Sequence, residues 1–357
     1  MKKIIVNLPD VTNHHYSVLI GVDLFEKIAE IVDLSTYSNI AIITDKNVAG
    51  YLDIIQSNLA IKPLTITLEP GEKHKNTKSL DIIWNELIKT KFDRKSLIIN
   101  LGGGVICDIG GFAASTYMRG IDFINVPTTL LSQVDASTGG KTGIDFANLK
   151  NIIGTFQQPK AVIIDVSTLA TLPKSELNSG FAEIIKHGLI RNKNYFEKVS
   201  SKKPEEYSSE ELIEIIITSC EIKKDVVEKD PTEQGIRKIL NFGHTIGHAI
   251  ESLSLETETP LLHGEAISIG MVAEAKMSNL LGFLPESDLE IIKQSFINAN
   301  LPIKTLINSV QIIEKIEKDK KNSFGEIKWT LLKQIGEATY DIAIDEKIIS
   351  EALEYIS

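Results

Sequence analysis

The stretch SLIINLGGGVICDIGGF (96–112) decides the fold of this chain. A mostly apolar run (96–101) leads into three consecutive glycines and then into a segment with helical spacing. A strand, a glycine loop and a helix in this order begin a β-α-β unit. The glycines allow backbone N–H groups to approach a pyrophosphate, and the following helix N-terminus favours anions. The spacing is not G-x-G-x-x-G, so the loop alone favours nucleotide binding and a structural turn about equally.

Similar short β-branched runs occur on both sides of this unit, and a helical pattern covers 77–90. Their alternation predicts a mostly parallel sheet covered by helices, with ligands bound beyond the carboxyl ends of the strands. After Pro173 the pattern is almost purely helical to about 317, and 326–344 predicts a small hairpin around Gly336. We therefore predict an α/β N-terminal domain (1–174) with a Rossmann-like, mostly parallel sheet, and a mainly α-helical C-terminal domain (175–357). The other predicted strands are 4–8, 39–44, 64–68, 123–127 and 161–165.

Composition excludes several classes of protein. The chain has 357 residues, with 38 basic and 48 acidic side chains and a net charge of −10, which argues against general nucleic-acid binding. Two cysteines without a Cys-x-x-Cys motif fit a reducing compartment. Apolar runs fall short of the roughly 20 residues that span a bilayer, and the first ten residues predict a strand and not a signal peptide. We expect a cytoplasmic protein that binds neither nucleic acid nor membranes.

Three of the seven histidines fall close together, in NFGHTIGHAIE (241–251) and LHGEA (262–266), and a carboxylate precedes them in SGFAEIIKHG (179–188). Histidine and carboxylate ligands, three in number, are common at catalytic zinc sites. His244 and His248 are four residues apart and share a helix face, as do Glu183 and Lys186 at a spacing of three. Spacing does not decide which of His244 and His248 is a ligand. The alternative for an isolated pair is two hydrogen-bonded surface histidines, but the third histidine favours a metal site.

Polar and cationic residues surround these motifs. Thr128 and Thr129 follow a predicted strand. The sequence Gly139-Gly140-Lys141 resembles the end of a phosphate-binding loop, but the full P-loop spacing is missing, which argues against an ATPase. We expect Lys141, Lys150 and Arg119 on the ligand side, where they would suit an anionic substrate, although a lone lysine is usually solvated. Three further expectations concern helices. We expect Asp108 to face a ribose or to cap a helix. We expect Arg237, Asn241 and His244 to share one helical phase, and Ser287 with Glu290 to begin a helix.

Taken together, these motifs resemble the 3-dehydroquinate synthase family, most densely from about 69 to 325. The matching patterns are GExxK, GGGVxxD, PTTLLSQVD-x-S-x-GGK, K-N, AE-x-x-K, N-x-GHT-x-GHAIE and HGEA. The chain departs from the family pattern at Cys107, where Gly is frequent, and at Asp230-Pro231, where Asp-Glu is frequent. A positive φ at Cys107 would not suit a side chain.

The resemblance implies the role of each residue. Glu183, His244 and His263 would be the metal ligands, and His248 a polar active-site residue beside them. Substrate-contacting or catalytic positions would be His248, Lys186, Lys141, Arg119, Lys150, Asn151, Lys223, Arg237, Asn241, Asp135 and Lys320. Positions on the cofactor side would be Asp45, Asn47, Glu72, Lys75, Gly103, Gly104, Val105, Asp108, Thr128, Thr129, Leu131, Lys141, Lys150, Thr168 and Thr171.

The resemblance also implies a reaction. The enzyme would use NAD and Zn²⁺, or another divalent metal such as Co²⁺, to convert a small anionic sugar phosphate, 3-deoxy-D-arabino-heptulosonate 7-phosphate, into 3-dehydroquinate and phosphate in the shikimate pathway. The steps would be transient oxidation, phosphate elimination, reduction, ring opening and an aldol closure, in a homodimer. Three alternatives are a related cyclase that makes valiolone or deoxy-inosose, a metal-dependent polyol or glycerol-phosphate dehydrogenase, and a catalytically dead binding domain. Arg237, Leu240, Asn241 and His248 favour dehydroquinate synthase over the related cyclases.

Overall fold

A six-stranded, wholly parallel sheet forms the N-terminal part of the chain. The computed structural model describes residues 15–147, 149–321 and 327–357, with the backbone alone for 319–321. The sheet strands are β1 (Ser17–Gly21), β2 (Ile40–Asp45), β3 (Leu64–Leu68), β4 (Leu97–Gly102), β5 (Asp122–Pro127) and β8 (Ala161–Asp165), and their order across the sheet is β1-β8-β5-β4-β2-β3. Two hairpins are formed by β6 (Lys141–Phe146) with β7 (Leu149–Phe156) and by β9 (Trp329–Gln334) with β10 (Glu337–Ile342).

The strands lie in parallel register, so their carboxyl ends meet at one edge of the sheet. Leu97 of β4 lies opposite Asp122 of β5, and Gly102 lies opposite Pro127 at the other end. Within the described residues the strand predictions are confirmed, while the predicted strand 4–8 lies outside them. Two elements were not predicted. Strand β1 is short and pairs with β8, and the β6–β7 hairpin begins at Lys141, directly after the two glycines that resemble the tail of a phosphate loop.

From Pro173 onward the described chain is mainly helical, as predicted. The α/β part and the helical part share a continuous core, in which Val162 and Ile164 of β8 pack with Phe181 and Ile267 of the helices. The proposed boundary between residues 174 and 175 therefore stays a prediction. The helices are α1 (Ile28–Ile31), α2 (Leu52–Ser57), α3 (Thr77–Lys89), α4 (Gly104–Thr116), α5 (Lys174–Arg191), α6 (Lys193–Val199), α7 (Ser209–Lys229), α8 (His244–Ser254), α9 (His263–Leu280), α10 (Glu286–Asn298), α11 (Ser309–Lys321) and α12 (Glu346–Tyr355).

Two helix predictions are wrong in detail. Helix α10 begins at Glu286 after Pro285, so Ser287 is not its cap. The fixed φ of proline and the acidic residues of the first turn suit a helix start. Arg237 and Asn241 lie on a separate 3₁₀ segment, because Gly243 has a left-handed backbone (φ 82°) that ends this segment before α8 begins at His244.

Of the helices in the described ranges, none is both long and apolar enough to cross a membrane.

Candidate active site

The carboxyl edge of the sheet gathers most of the residues predicted on the cofactor side. Asp45 ends β2, and its carboxylate accepts a hydrogen bond from the Asn47 N–H at 2.8 Å. Gly103 and Gly104 follow β4 and begin α4, whose first N–H groups have no acceptor within the helix. A helix start that faces the edge of a parallel sheet is a favourable place for an anion. Val105 lies in the first turn of α4, and Leu131 follows the end of β5.

Four threonines lie at the same edge, in different surroundings. Thr128 follows β5 and is buried, and its hydroxyl oxygen lacks a hydrogen-bond partner, while the Thr129 hydroxyl pairs with Ser132 at 2.9 Å. Thr168 is buried, and its hydroxyl donates to the Asp165 carbonyl at 2.8 Å. The Thr171 hydroxyl pairs with the Tyr51 hydroxyl at 2.7 Å. The unpartnered hydroxyl makes Thr128 the threonine best placed to bind a ligand, because a buried polar group needs a partner.

A buried lysine organises an acidic cluster beside α4. The Lys75 ammonium contacts Glu72 at 2.9 Å and Asp108 at 3.2 Å, and it donates to the Asn151 amide oxygen at 2.7 Å. Burial raises the pKa of Asp108 to about 6, although Lys75 acts in the opposite direction. Asp108 lies inside α4 and faces Lys75, so it is not a helix cap. The structure thus brings the GExxK and GGGVxxD motifs into contact.

A single π-helical turn (Ser132–Ala136) carries Asp135 towards α7. The Lys223 ammonium lies 2.5 Å from both the carboxylate and the backbone carbonyl of Asp135. Burial alone would raise the pKa of Asp135, but the Lys223 ammonium outweighs it and holds that pKa below its usual range. A π-helical turn often marks a functional position, because it re-aims one side chain.

Three elements bring the predicted metal ligands together. Glu183 lies on α5, His244 on the first turn of α8 and His263 on the first turn of α9. Nε2 of His244 and Nε2 of His263 each lie 3.7 Å from Oε1 of Glu183. These three ligand atoms all lie within 4.8 Å of one another, which is the geometry needed to share one metal ion. The N-terminus of α9 approaches α5 closely because Gly264 has no side chain; a Cβ there would lie 2.0 Å from the Ser179 carbonyl oxygen.

The charges around this cluster act differently on its members, because burial and the Lys186 ammonium hold the pKa of His244 well below its usual range. Burial would raise the pKa of Glu183, but Lys186 and the two imidazoles hold it well below its usual range. Burial lowers the pKa of His263, yet Glu251 and Glu183 together raise it to about 9. Buried Glu183 is contacted by the Lys186 ammonium at Oε2, whereas Oε1, which faces both imidazoles, accepts no hydrogen bond. A buried carboxylate oxygen without a hydrogen-bond donor is a ready ligand for a cation.

His248 lies next to the cluster on the following turn of α8. Its ring centroid is 5.0 Å from that of His244 and 5.9 Å from that of His263. Burial lowers the pKa of His248 to about 4, so the ring is neutral near pH 7 and has a nitrogen lone pair to accept a proton.

Lys150 and Asn151 of β7 reach the same region from the other side. The Lys150 ammonium lies 2.6 Å from Glu251 and 3.3 Å from Glu72, so it connects α8 to the Lys75 cluster. Asn151 has a left-handed backbone (φ 52°), and its N–H donates to the Asp145 carboxylate at 2.8 Å. The unpredicted hairpin is therefore what carries Lys150 to the metal ligands.

A second polar group surrounds Glu233, which the sequence analysis missed. Its carboxylate pairs with the Lys141 ammonium and accepts a hydrogen bond from the Asn241 amide at 2.6 Å. Arg237 is buried and donates to the carbonyls of Pro231 at 2.6 Å and Gly139 at 3.0 Å. In the sequence, Glu233 is one acid among many in a polar segment, and only the bend between α7 and α8 brings it to Lys141.

The structure shows the local conformation at both departures from the family pattern. Cys107 lies inside α4 with ordinary helical geometry, so no positive φ opposes its side chain. Asp230 accepts hydrogen bonds from the backbone N–H groups of Gln234, Gly235 and Arg237, and Pro231 offers its carbonyl to Arg237. The Asp-Pro pair thus shapes the turn that carries Glu233.

The structure places Arg119 away from the other residues expected on the ligand side, and its role in substrate binding stays a prediction. Arg119 lies three residues before β5 begins at Asp122, whereas Thr128 follows that strand, so the two lie at opposite edges of the sheet. Six residues of strand separate these edges by about 20 Å. Helix α4 starts at the carboxyl edge and runs back across the sheet, which the sequence pattern did not reveal. The side chain of Lys320 lies outside the described residues, and its role stays a prediction.

Comparison with known proteins gives a consistent result. Family models for the N-terminal and C-terminal parts of 3-dehydroquinate synthase match residues 65–179 and 180–322. The 3-dehydroquinate synthase of Ruminiclostridium cellulolyticum is 39% identical over 345 residues, 95% of each chain. That of Thermodesulfovibrio yellowstonii is 46% identical over 296 residues, 82% of each chain.

Solved structures show the same fold. The 2-epi-5-epi-valiolone synthase of Streptomyces hygroscopicus subsp. jinggangensis, with NAD⁺ and Zn²⁺ bound, has a TM-score of 0.88 at 23% identity and covers 98% of this chain and 99% of its own. A 2-deoxy-scyllo-inosose synthase complexed with carbaglucose-6-phosphate, NAD⁺ and Co²⁺ has a TM-score of 0.85 at 24% identity, with 95% and 96% covered. A probable glycerol dehydrogenase of Sinorhizobium meliloti has a TM-score of 0.62 at 14% identity, with 95% and 96% covered.

The parallel sheet followed by a helical part is the fold that the chain shares with these solved structures, which establishes its fold class. The two consecutive family models and the identity to curated relatives narrow this class further. The chain belongs to the 3-dehydroquinate synthase family.

Proposed function

We propose that this chain converts 3-deoxy-D-arabino-heptulosonate 7-phosphate into 3-dehydroquinate and phosphate, with NAD and a divalent metal as cofactors. The observation that carries the cofactor proposal is the convergence of Glu183, His244 and His263, whose ligand atoms lie within 4.8 Å of one another. The family to which the chain belongs supplies the reaction.

The residues present fit a divalent cation. Two imidazoles and a buried carboxylate are a common ligand set for Zn²⁺, and they also suit Co²⁺ or Fe²⁺. A metal bound there would act as a Lewis acid on substrate hydroxyl and carbonyl oxygens. Lys186 lies against Glu183 and keeps its carboxylate ionised, which a ligand requires.

The carboxyl edge of the sheet supports NAD as the second cofactor. NAD bound there would supply a hydride acceptor and donor. Gly103 and Gly104 at the start of α4 are placed to face a pyrophosphate, and the unpartnered Thr128 hydroxyl can bind a ribose or phosphate oxygen. Asp45 and Glu72 offer carboxylates for ribose hydroxyls.

Cationic side chains would hold the two anionic ends of the substrate. We assign Lys150, with Asn151 beside it, to the phosphate, because both lie between the metal ligands and the Lys75 cluster. We assign Lys141, Arg237 and Asn241 to the carboxylate and hydroxyls. Contacts with Glu233, Glu251 and Lys75 hold these side chains within the site before the substrate enters.

His248 would move a proton during the reaction. Its ring is neutral at physiological pH and lies beside two metal-ligand imidazoles, so it can accept a proton from a substrate hydroxyl.

The test uses the purified protein with the sugar phosphate, zinc and a small amount of NAD. We expect release of one phosphate per product molecule, a product mass equal to that of the substrate less phosphoric acid, and no accumulation of NADH. Accumulation of NADH without phosphate release would indicate a dehydrogenase, for which the glycerol dehydrogenase fold is a precedent. Turnover of a different sugar phosphate alone would indicate a related cyclase.

A homodimer also stays a proposal. The β6–β7 hairpin exposes several large apolar side chains, among them Phe146, Ile152 and Phe156. An exposed apolar group of this kind is common at protein interfaces. Light scattering on the purified chain would give its mass, and a monomer at micromolar concentration would refute the proposal. A cytoplasmic location also stays a prediction.

A further inference from the structure

One buried carboxylate beside the metal ligands has no role in the reaction described above. Glu251 lies on α8, one turn after His248, and is 6% exposed. Its Oε1 lies 2.6 Å from the Lys150 ammonium, and its Oε2 lies 3.4 Å from Nδ1 of His263. A single carboxylate therefore contacts both a predicted metal ligand and the predicted phosphate-binding lysine.

The geometry leaves two ways to place a metal at His263. Glu183 and His244 surround its Nε2, whereas His248 and Glu251 form a second possible ligand group with it, and both groups are compact enough for one ion. A neutral imidazole carries a proton on one nitrogen and a lone pair on the other. Whichever nitrogen donates a hydrogen bond is therefore lost as a ligand.

The contacts of Glu251 decide between these two arrangements. The Lys150 ammonium already occupies Oε1, so the other oxygen of Glu251, Oε2, is the acceptor that faces Nδ1 of His263. If Nδ1 of His263 donates its proton to Oε2, the lone pair on Nε2 points towards Glu183. A carboxylate that accepts a hydrogen bond from a metal-binding imidazole fixes both its tautomer and its orientation.

We propose that Glu251 is a positioning residue that holds His263 in the Nδ1–H tautomer for metal binding at Nε2, and that it also holds Lys150 beside the metal. This proposal rests on the metal site proposed above. It assigns Glu251 as a partner of a ligand and not as a ligand itself. It also explains why α8 carries an acid on the face of its two histidines, at positions 244, 248 and 251.

The experiment measures the zinc affinity of the full-length protein by competition with a chelator. Glu251→Gln preserves size but weakens the acceptor and removes its charge, and we expect about 10–100-fold weaker zinc binding. Glu72→Gln is the matched control, since Glu72 also pairs with Lys150 and, among the described residues, its ion pairs are with Lys75 and Lys150. Its zinc affinity should equal that of the wild type. Glu251→Asp keeps the charge and should bind zinc more tightly than Glu251→Gln.

A second readout separates a positioning residue from a ligand. In the Co²⁺-substituted protein, Glu251→Gln should keep the ligand-field spectrum of the wild type, because the three ligands remain. Wild-type zinc affinity in Glu251→Gln, an equal loss in Glu72→Gln, or a Co²⁺ spectrum changed as in His263→Ala would each overturn the proposal. If the wild-type protein binds no zinc, the metal site itself fails, which is distinguishable from a failure confined to Glu251.

Discussion

The contact between α8 and α9 determines whether the two predicted metal-binding histidines can meet, and Gly243 is the residue at which this contact can be tested. Gly243 has a φ of 82°, and a Cβ built on it would lie 2.2 Å from Cγ of Met271 and 2.9 Å from the Met271 backbone nitrogen. Its own N–H donates to the buried Glu274 carboxylate at 2.6 Å. Because one of the two clashing atoms is backbone, a side-chain rotation cannot relieve the clash, and the first turn of α8 would have to move.

The cost of Gly243→Ala has two parts. A left-handed backbone costs a non-glycine residue about 1–2 kcal/mol, and overpacking a tight contact costs about 1–3 kcal/mol more. We expect the free energy of unfolding to fall by about 3 kcal/mol in total. Zinc affinity should fall as well, because the movement displaces His244 from His263.

Gly282→Ala is the matched control. Gly282 also has a positive φ, of 75°, but a Cβ there would find no heavy atom within 4 Å, so this variant should lose only the backbone part, about 1–2 kcal/mol. Urea unfolding followed by tryptophan fluorescence gives both losses, and chelator competition gives the zinc affinities. If Gly243→Ala loses no more stability than Gly282→Ala and binds zinc as tightly, the reasoning about the α8–α9 contact is refuted.

Further predictions concern the site itself. Lys223→Met removes the cationic partner of the partly buried Asp135 carboxylate and should lower the free energy of unfolding by about 1–3 kcal/mol; adding Asp135→Asn should recover part of that loss, and no recovery would contradict the pairing. His248→Asn should keep its zinc while phosphate release falls about 10²–10⁴-fold, and loss of the metal would make His248 a ligand. His263→Ala should lose activity and zinc together, so zinc retained at full stoichiometry would argue against the ligand set. Removal of the metal with a chelator should lower the Tm, and added zinc should restore it, because a ligand of the folded state stabilises that state.

Much of the fold followed from local pattern. The β-branched runs and helical spacings predicted five of the six sheet strands and the change to helices near Pro173, because burial on a parallel sheet and on a helix face imposes different periods. Strand β1 and the β6–β7 hairpin were not predicted, since each of these strands forms only by pairing with another strand, β1 with β8 and β6 with β7. Gly243 shows the same limit, because its left-handed backbone is set by packing against α9.

The candidate site, like the fold, was predicted from the sequence only in part. The residue types at 183, 244, 248 and 263, with their helical spacing, were enough to predict a metal site, because ligand chemistry is a property of the side chains. Spacing left His244 and His248 undecided, and the resemblance chose His244. The structure places its Nε2 close to Glu183.

The amino-acid sequence by itself determined which chemical groups are available and which segments bury an apolar face, since both depend on residue type and short-range order. Only the tertiary structure decided that Arg119 lies at the far edge of the sheet, that Glu233 meets Lys141, and that Glu251 lies between Lys150 and His263. Each of these relations either joins residues that are distant in the chain or depends on the path of a connecting helix. They depend on how whole helices and strands pack, which no short stretch of sequence specifies.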